Sequence, residues 1–261
     1  MERYICTVLE IKKLTRDVVE VELHKPPGFE FAAGQYVGFQ MEYTARSYSM
    51  VNTPQEHSLR FCIKIIEDGI GSEFVENLKV GDTVEISGPY GRFVLDFNVI
   101  PGSDPVSSAL DSDLSRMEVN SIHSGDRLKA GMTQKDLLFI ATGVGIAPVR
   151  SVIFDLLNKS FPNNIKLLFG LRSEQDIFYY DVFEKLADQH QNFSFIPMLS
   201  KPQGEWAGQK GTVTDYLKSH TDIIRNQVSF ICGSQAMVTD VRDILLRSGR
   251  SSGDIKQEIF S

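Results

Sequence analysis

The pattern of apolar residues changes once along the chain, and this change limits the fold more than any other feature. In the first third, short segments alternate between apolar and polar residues, which is typical of antiparallel strands. The strands predicted there are Tyr4–Ile11, Val18–His24, Gln35–Met41, Ser47–Val51, Leu59–Ile66 and Thr83–Ser87. From residue 136 onward, short apolar runs alternate with segments of helical length, which is typical of a parallel sheet covered by helices. These runs predict strands over Leu137–Ala141, Ile165–Leu171, Phe193–Met198 and Val228–Ile231, and helices over 147–158, 180–189, 212–219 and 235–247.

The sequence therefore predicts two domains and a connection between them. We expect a six-stranded antiparallel β-barrel over 1–96 and a Rossmann-like α/β domain with a parallel sheet over 135–261. The connection over 97–134 is rich in Ser, Asp and Gly and shows only a weak helical pattern near 106–118. A connection of this length is uncommon in compact proteins and is usually functional or disordered.

Charge and cysteine content argue against several classes of protein. The net charge of -7 is spread along the chain without a basic run, which argues against binding to nucleic acid or to an acidic membrane surface. No signal sequence or window long enough to span a membrane is apparent, so we expect a soluble, cytoplasmic protein. Cys6, Cys62 and Cys232 lie far apart, which predicts no metal site and no disulfide. Redox chemistry in this chain therefore requires an organic cofactor.

A glycine-containing turn follows the first strand of the α/β part. The segment Thr142–Pro148 reads TGVGIAP and leads directly into a predicted helix. Backbone N–H groups and the positive end of the helix dipole face any group bound at such a turn. Gly143 and Gly145 permit a tight turn and a close approach of the backbone to a ligand. The turn is therefore a candidate site for a pyrophosphate.

Two segments of the barrel carry groups that suit a phosphate-containing ligand. Arg46, Tyr48 and a serine on either side of the tyrosine place a cation, a phenol and hydroxyls along one strand. Downstream, Gly69–Ser72 precedes a short helix predicted over Glu73–Leu78, with Ser72 as its N-cap. This helix start is a second candidate anion site.

These segments resemble, in order and spacing, the motifs of the ferredoxin–NADP reductase superfamily, which includes flavin reductases and oxygenase reductases. The resemblance covers both predicted domains and leaves out only 97–134. The motifs that carry it are RSYS at 46–49, GIGS at 69–72, GPYGRF at 88–93, TGVGIAP at 142–148 and CGSQAM at 232–237. It implies an FAD-binding barrel and an NAD(P)-binding α/β domain.

The resemblance also implies roles for individual residues. For the flavin, it implies phosphate binding by Arg46, ring packing by Tyr48, a hydrogen bond near the redox-active edge from Ser49, and possible shielding of the ring by Phe260. The other flavin-binding candidates are Ser47, Ile63, Lys64, Ile65, Gly69, Gly71 and Ser72. For NAD(P)H, the candidates are Thr142, Gly143, Gly145, Pro148, Arg172, Ser200, Cys232, Gly233 and Met237. Ser49 and Cys232 are the candidate catalytic residues, and the choice between NADH and NADPH stays open, with Arg172, Ser200, Lys201 and Lys210 as the candidates to decide it.

The resemblance implies an oxidoreductase that passes electrons from NAD(P)H through FAD to a separate acceptor. Candidate acceptors are a ferredoxin, a flavodoxin, a cytochrome, an oxygenase component or a small molecule. Two alternatives remain: a reductase of free flavin, and a non-catalytic subunit of a larger redox complex. For the connection over 97–134, the alternatives are a lid, a docking element for the acceptor, and a disordered surface insertion.

Overall fold

The computed structural model describes residues 2–95, 135–224 and 227–260. The predicted connection over 97–134, with its weak helical pattern, lies outside the described residues. On either side of it, the described parts form an antiparallel sheet of six strands and a parallel sheet of six strands covered by helices.

The N-terminal unit is an antiparallel sheet of six strands with one short helix. Its strands are β1 (Arg3–Lys13), β2 (Val18–His24), β3 (Tyr36–Gln40), β4 (Ala45–Ser49), β5 (Ser58–Lys64) and β6 (Thr83–Tyr90), and its helix is α1 (Ile70–Asn77). The strand order is β4-β3-β6-β1-β2-β5. The two edge strands meet just after β4, where Met50 forms an antiparallel bridge with Phe61 and the Val51 N–H donates to the Arg60 carbonyl at 2.8 Å. These contacts between β4 and β5 close the sheet into a barrel.

The C-terminal unit is a parallel sheet of six strands covered by helices. Its strands are β7 (Asp136–Thr142), β8 (Ile165–Leu171), β9 (Phe193–Leu199), β10 (Gln209–Lys210), β11 (Gln227–Ser234) and β12 (Ile255–Phe260). Its α-helices are α2 (Ile146–Asn158), α3 (Tyr180–Gln189), α4 (Val213–Ser219) and α5 (Gln235–Arg247). The order β10-β9-β8-β7-β11-β12 reverses direction between β7 and β11, and ligands of such sheets bind at the carboxyl ends of the strands near that point.

Alternate residues of each central strand face opposite sides of the parallel sheet. On β7, Leu138 and Ile140 pack towards α4 and α5, whereas Leu137 and Phe139 pack towards α2 and α3. The core on the side of α2 and α3 also contains buried residues of the barrel, namely Val18, Ala33, Val51, Cys62 and Phe93. The Phe93 ring meets Phe230 of β11 edge to face, with the ring centroids 5.2 Å apart. The barrel and the parallel-sheet domain therefore share one apolar core, and the predicted fold class is confirmed.

Candidate functional site

The two flavin motifs predicted in the barrel pack against each other. Arg46 and Tyr48 lie on β4 at alternate positions, and Gly71 lies in the first turn of α1. A Cβ atom on Gly71 would collide with the Tyr48 hydroxyl and lie 3.3 Å from the Arg46 Cγ. The absence of a side chain at Gly71 thus lets the start of α1 reach the strand that carries the cation and the phenol. This contact fits a flavin nucleotide, which needs a phosphate site and a ring site close together.

Ser72 differs from the sequence prediction. The structure begins α1 at Ile70 with Gly69 as the N-cap and no side-chain cap, so the prediction of a Ser72 N-cap was wrong. The Ser72 hydroxyl instead accepts a hydrogen bond from the Ile66 N–H at 2.8 Å and is buried. Ser72 therefore closes the loop over 66–72 and holds the helix start against the end of β5, where Ile63, Lys64 and Ile65 lie.

Tyr48 and Arg46 keep their functional groups available. The Tyr48 ring is half-buried against Phe39, edge to face at 4.9 Å between centroids, and burial raises the pKa of its phenol, which therefore stays neutral. Arg46 is exposed, and its Nη1 donates to Thr44 Oγ1 at 3.0 Å and to the Ala45 carbonyl at 3.1 Å. Within residues 2–95, 135–224 and 227–260, no carboxylate lies within ion-pair distance of Arg46.

Replacing Arg46 with alanine should weaken the retention of FAD by roughly ten- to a hundredfold, since a charge-assisted hydrogen bond contributes about 1.5–3 kcal/mol. The measurement is the FAD dissociation constant of refilled apoprotein. Arg3→Ala is the matched control, because Arg3 is also an exposed arginine of the barrel but pairs with Glu85 at 2.7 Å. Equal FAD affinity in Arg46→Ala and Arg3→Ala would contradict the assignment of Arg46 to the phosphate.

A cleft of about 730 Å³ lies at the carboxyl ends of the parallel strands. Its lining includes five residues predicted to bind NAD(P)H, namely Thr142, Gly143, Arg172, Ser200 and Met237. Lys64, predicted for the flavin, reaches the cleft from the barrel side. Gly143 has a φ of +54°, a left-handed conformation that favours glycine, in the turn that precedes α2. The cleft lies where nucleotides bind in doubly wound sheets.

The other residues predicted to bind NAD(P)H do not line the cleft, and several of them form a contact between two turns next to it. Gly145 and Pro148 are buried, and a Cβ atom on Gly145 would lie 2.5 Å from the Cys232 carbonyl oxygen and 2.8 Å from the Gly233 nitrogen. A Cβ atom on Gly233 would in turn collide with Thr142 Oγ1. The two glycine-containing turns therefore touch through their backbones.

Ser49 makes a hydrogen bond that the sequence does not reveal. Its Oγ donates to Glu258 Oε1 at 2.9 Å, so the last residue of β4 in the barrel contacts the last strand of the parallel sheet. Glu258 pairs in register with Cys232 of β11. Burial raises the pKa of the Glu258 carboxyl, while the hydrogen bond from Ser49 acts in the opposite direction. Ser49, Glu258 and Cys232 therefore meet at the junction between the two domains.

Glu258 is the functional candidate that sequence reasoning missed. On the terminal strand, the resemblance implies a role only for Phe260, which lies two residues further and therefore on the same face. Phe260 is half-buried and packs against the shared core. The sequence carries no signal for Glu258, because the apolar residues of IKQEIF do not show which face of the strand is covered.

Cys232 is fully buried, and burial raises the pKa of its thiol well above the ordinary value. The side chain therefore stays protonated and supplies bulk beside Glu258. Among the described residues, no group of three or more His, Cys, Asp or Glu side chains is arranged to bind a metal ion. Likewise, no helix in the described parts of the chain is long and apolar enough to cross a bilayer.

Both domains match known families. The chain matches the oxidoreductase FAD-binding domain over residues 5–95 and the oxidoreductase NAD-binding domain over residues 139–243. The first match ends at the last described residue of the barrel, and the second spans β7 to α5 apart from a few residues at either end.

Similar proteins include reductases of two kinds. The chain is 30% identical over 249 residues to the phenol 2-monooxygenase reductase component DmpP of Pseudomonas sp. (strain CF600), covering 93% of this chain but 60% of that protein. It is 28% identical over 261 residues to ferredoxin–NADP reductase B of Sorangium cellulosum, covering 93% of this chain and 91% of the relative. The cytochrome P450 reductase GcoB of Amycolatopsis superposes with a TM-score of 0.81 at 25% identity, over 99% of this chain and 70% of that one.

Two matched domains in the expected order, and relatives that share both of them, confirm the resemblance drawn from the motifs. The chain belongs to the ferredoxin–NADP reductase superfamily of oxidoreductases, with an FAD-binding barrel and an NAD(P)-binding parallel-sheet domain.

Proposed function

We propose that this chain is a reductase that takes electrons from NADPH through FAD and passes them to a separate acceptor protein. One observation carries the proposal. The hydrogen bond from Ser49 to Glu258 joins the flavin motif of the barrel to the sheet that carries the dinucleotide cleft. Two cofactor sites that meet at one point are what direct transfer between their rings requires.

The acceptor is proposed from the relatives. DmpP is named as the reductase component of a monooxygenase, and the Sorangium protein is named for ferredoxin. We assign this chain an acceptor of the same kind, an oxygenase component or a ferredoxin. A cytoplasmic location accords with a nicotinamide dinucleotide as the electron donor and is part of the same proposal.

The described residues fit both cofactors. A Cβ atom on Gly71 would meet the Arg46 and Tyr48 side chains of the flavin motif. A Cβ atom on Gly145 would meet the backbone of the turn at Cys232 and Gly233. Arg46 and the start of α1 would hold the flavin phosphates, and Tyr48 would pack on the ring. The turn Gly143–Gly145 would hold the pyrophosphate of the dinucleotide at the start of α2. When bound, the flavin supplies the redox chemistry, accepting a hydride from the nicotinamide and releasing electrons singly or as a pair.

Hydride transfer itself needs no acid or base, but a reduced flavin loses a proton when it gives up its electrons, and Ser49 and Glu258 would accept that proton. A raised pKa lets Glu258 hold a proton at Oε1 closer to neutral pH than an exposed glutamate does. Ser49 Oγ donates to Glu258 Oε1, so Ser49 would pass its hydrogen to the carboxylate while it takes up the proton that the flavin loses. Ser49 is buried and Glu258 is half-buried, which limits the access of water to this hydrogen bond.

The cations of the cleft favour NADPH over NADH as donor. Arg172 and Lys201 line the cleft at neighbouring strand ends, where the Lys201 N–H donates to the Arg172 carbonyl at 2.7 Å. Two acids near Arg172 have other partners: Asp176 accepts from Ser173, and Glu174 accepts the N–H groups of Gln203 and Gly204. The Arg172 guanidinium makes no ion pair within the parts of the chain that the structure describes.

Arg172→Ala should raise the KM for NADPH by roughly ten- to a hundredfold and leave the KM for NADH nearly unchanged, because only NADPH carries a 2′-phosphate on its adenosine ribose. Steady-state kinetics with both nucleotides measures the split. Lys210→Ala is the matched control, since Lys210 is an exposed cation of the same domain that does not line the cleft. A parallel loss with NADH would assign Arg172 to another part of the nucleotide.

An anaerobic absorbance scan of the purified protein tests the proposed function. The flavin spectrum should be present on purification and should bleach on addition of NADPH. A colourless protein that reduces added flavin would instead indicate a reductase of free flavin. A protein that stays inert after addition of FAD and either nucleotide would indicate a non-catalytic subunit.

A further inference from the structure

Three side chains away from both cofactor motifs join the barrel to the parallel-sheet domain. Glu20 lies on β2, Arg150 on α2, and Tyr179 directly before α3. The Tyr179 hydroxyl donates to the Glu20 carboxylate, and the guanidinium carbon of Arg150 lies 5.3 Å from the centroid of the Tyr179 ring. We call these three residues the interdomain latch.

Arg150 is the buried centre of the latch. It is 7% exposed, and its Nη1 donates to the Val51 carbonyl of the barrel at 2.9 Å. Its guanidinium also lies over the Phe154 ring, 4.4 Å from the centroid, and its Nε has no hydrogen-bond partner among the described residues. Burying a cation costs free energy. Well-packed apolar side chains of similar volume would stabilise the same interface at less cost. The arrangement therefore favours one defined geometry over maximal stability.

Tyr179 is held in an unfavourable backbone conformation. Its φ is +59°, in the left-handed region that residues with a side chain rarely adopt. This conformation turns the chain between Phe178, which packs in the shared core, and the first residue of α3. The surrounding contacts, including the hydrogen bond to Glu20, hold the residue there.

The latch connects the two cofactor sites by short stretches of chain. Arg150 lies one helical turn beyond Ile146, where α2 begins directly after the dinucleotide turn. Its partner Val51 lies two residues beyond Ser49. On the other side, Glu20 pairs in register with Cys62, the residue before Ile63 on β5. A shift of the latch therefore moves the dinucleotide turn relative to the flavin strands.

We propose that the interdomain latch sets the spacing between the nicotinamide and flavin sites, so that Tyr179, Glu20 and Arg150 are positioning residues for hydride transfer. The expected effect on the rate of flavin reduction rests on the proposed function. The expected effect on the packing of the two domains rests only on the contacts. Reacting atoms must approach closely, and a misplacement of about 1 Å costs roughly a hundredfold in rate.

Tyr179→Phe tests the latch with the least disturbance, because it keeps the ring in place and removes only the hydroxyl. The rate of flavin reduction by NADPH should fall about tenfold, while the dissociation constants for FAD and NADPH stay within about twofold of the parent. The long-wavelength absorbance of the stacked nicotinamide–flavin pair should weaken as well. Tyr180→Phe is the matched control, since the Tyr180 hydroxyl bonds Glu184 of its own helix at 2.7 Å.

A second measurement uses the cofactor-free protein. Hydrogen–deuterium exchange over 49–53 and 146–151 should increase in Tyr179→Phe and stay at the parental level in Tyr180→Phe. A double-mutant cycle with Glu20→Gln should be non-additive, since both changes act on one hydrogen bond. Rescue of the rate in the double variant is not expected.

The outcomes separate the latch from the proposed function. If the parent bleaches with NADPH and Tyr179→Phe matches it in rate and in exchange, the latch is refuted and the proposed function stands. If the parent does not bleach with either nucleotide, the proposed function fails, and the exchange data alone decide whether the three residues fix the domains. Loss of rate in Tyr180→Phe equal to that in Tyr179→Phe would also overturn the latch.

Discussion

Flavin reduction by NADPH should fall at least a hundredfold when Gly145 is replaced by alanine. The new Cβ atom would lie 2.5 Å from the Cys232 carbonyl oxygen and 2.7 Å from its carbon. Both are backbone atoms of a buried strand, so neither can turn away as a flexible side chain does. The turn at Cys232 and Gly233 must therefore move, and with it the wall of the proposed nicotinamide site. Overpacking of this kind also lowers the free energy of unfolding by about 1–3 kcal/mol.

Stopped-flow absorbance of the flavin and chemical denaturation measure the two effects of Gly145→Ala. Gly253→Ala is the matched control, because its nearest neighbour would be Ser251 Oγ at 3.6 Å, an ordinary contact. Gly143→Ala separates strain from collision, since Gly143 has a φ of +54° but nothing within 4 Å of a Cβ atom. A parental reduction rate in Gly145→Ala would show that the contact between the two turns does not position the nicotinamide.

Glu258→Gln is expected to slow reoxidation of the reduced flavin by its acceptor about a hundredfold, at the lower end of what positioned acid–base groups contribute. The amide can still accept the Ser49 hydrogen bond, but it cannot hold and release a proton. The pH dependence of the reoxidation rate should therefore lose the ionisation that belongs to Glu258. A Glu258→Gln variant that keeps the parental rate and pH profile would remove Glu258 from the proton path.

The same substitution should stabilise the protein at neutral pH. Since burial raises the pKa of Glu258 above its ordinary value of 4.5, the folded state favours the protonated form. That contribution to stability is complete below the ordinary pKa and is lost as the pH rises through the raised one. Glutamine has no such loss, so its advantage in melting temperature should be absent at low pH and should grow across this interval. An advantage independent of pH would indicate a packing effect instead.

Most of the fold could be predicted because hydrophobic periodicity reports burial directly. Strands such as Val18–His24 and Ile165–Leu171 have the predicted bounds, since their apolar residues end where the chain turns. The short strand β10 was not predicted, because two exposed residues leave no pattern. Ser72 was placed wrongly at the helix cap because its partner, the Ile66 N–H, belongs to a loop whose path sequence does not show.

The candidate site was predictable where a motif is local and hidden where it depends on two distant segments. The glycine-containing turn at 142–148 is visible in the sequence because its residues act together over one strand and one helix. Ser49 and Glu258 are 209 residues apart, and only the packing of one domain against the other brings them to 2.9 Å. The same holds for Glu20 and Tyr179, whose contact no pattern within either segment indicates.

The shared core of the two domains limits how this protein can be recombined with its relatives. Val18, Ala33, Val51, Cys62 and Phe93 belong to the barrel by sequence but are buried among residues of the parallel-sheet domain. A hybrid that joins this barrel to another reductase's nucleotide domain therefore has to transplant both sides of that interface together.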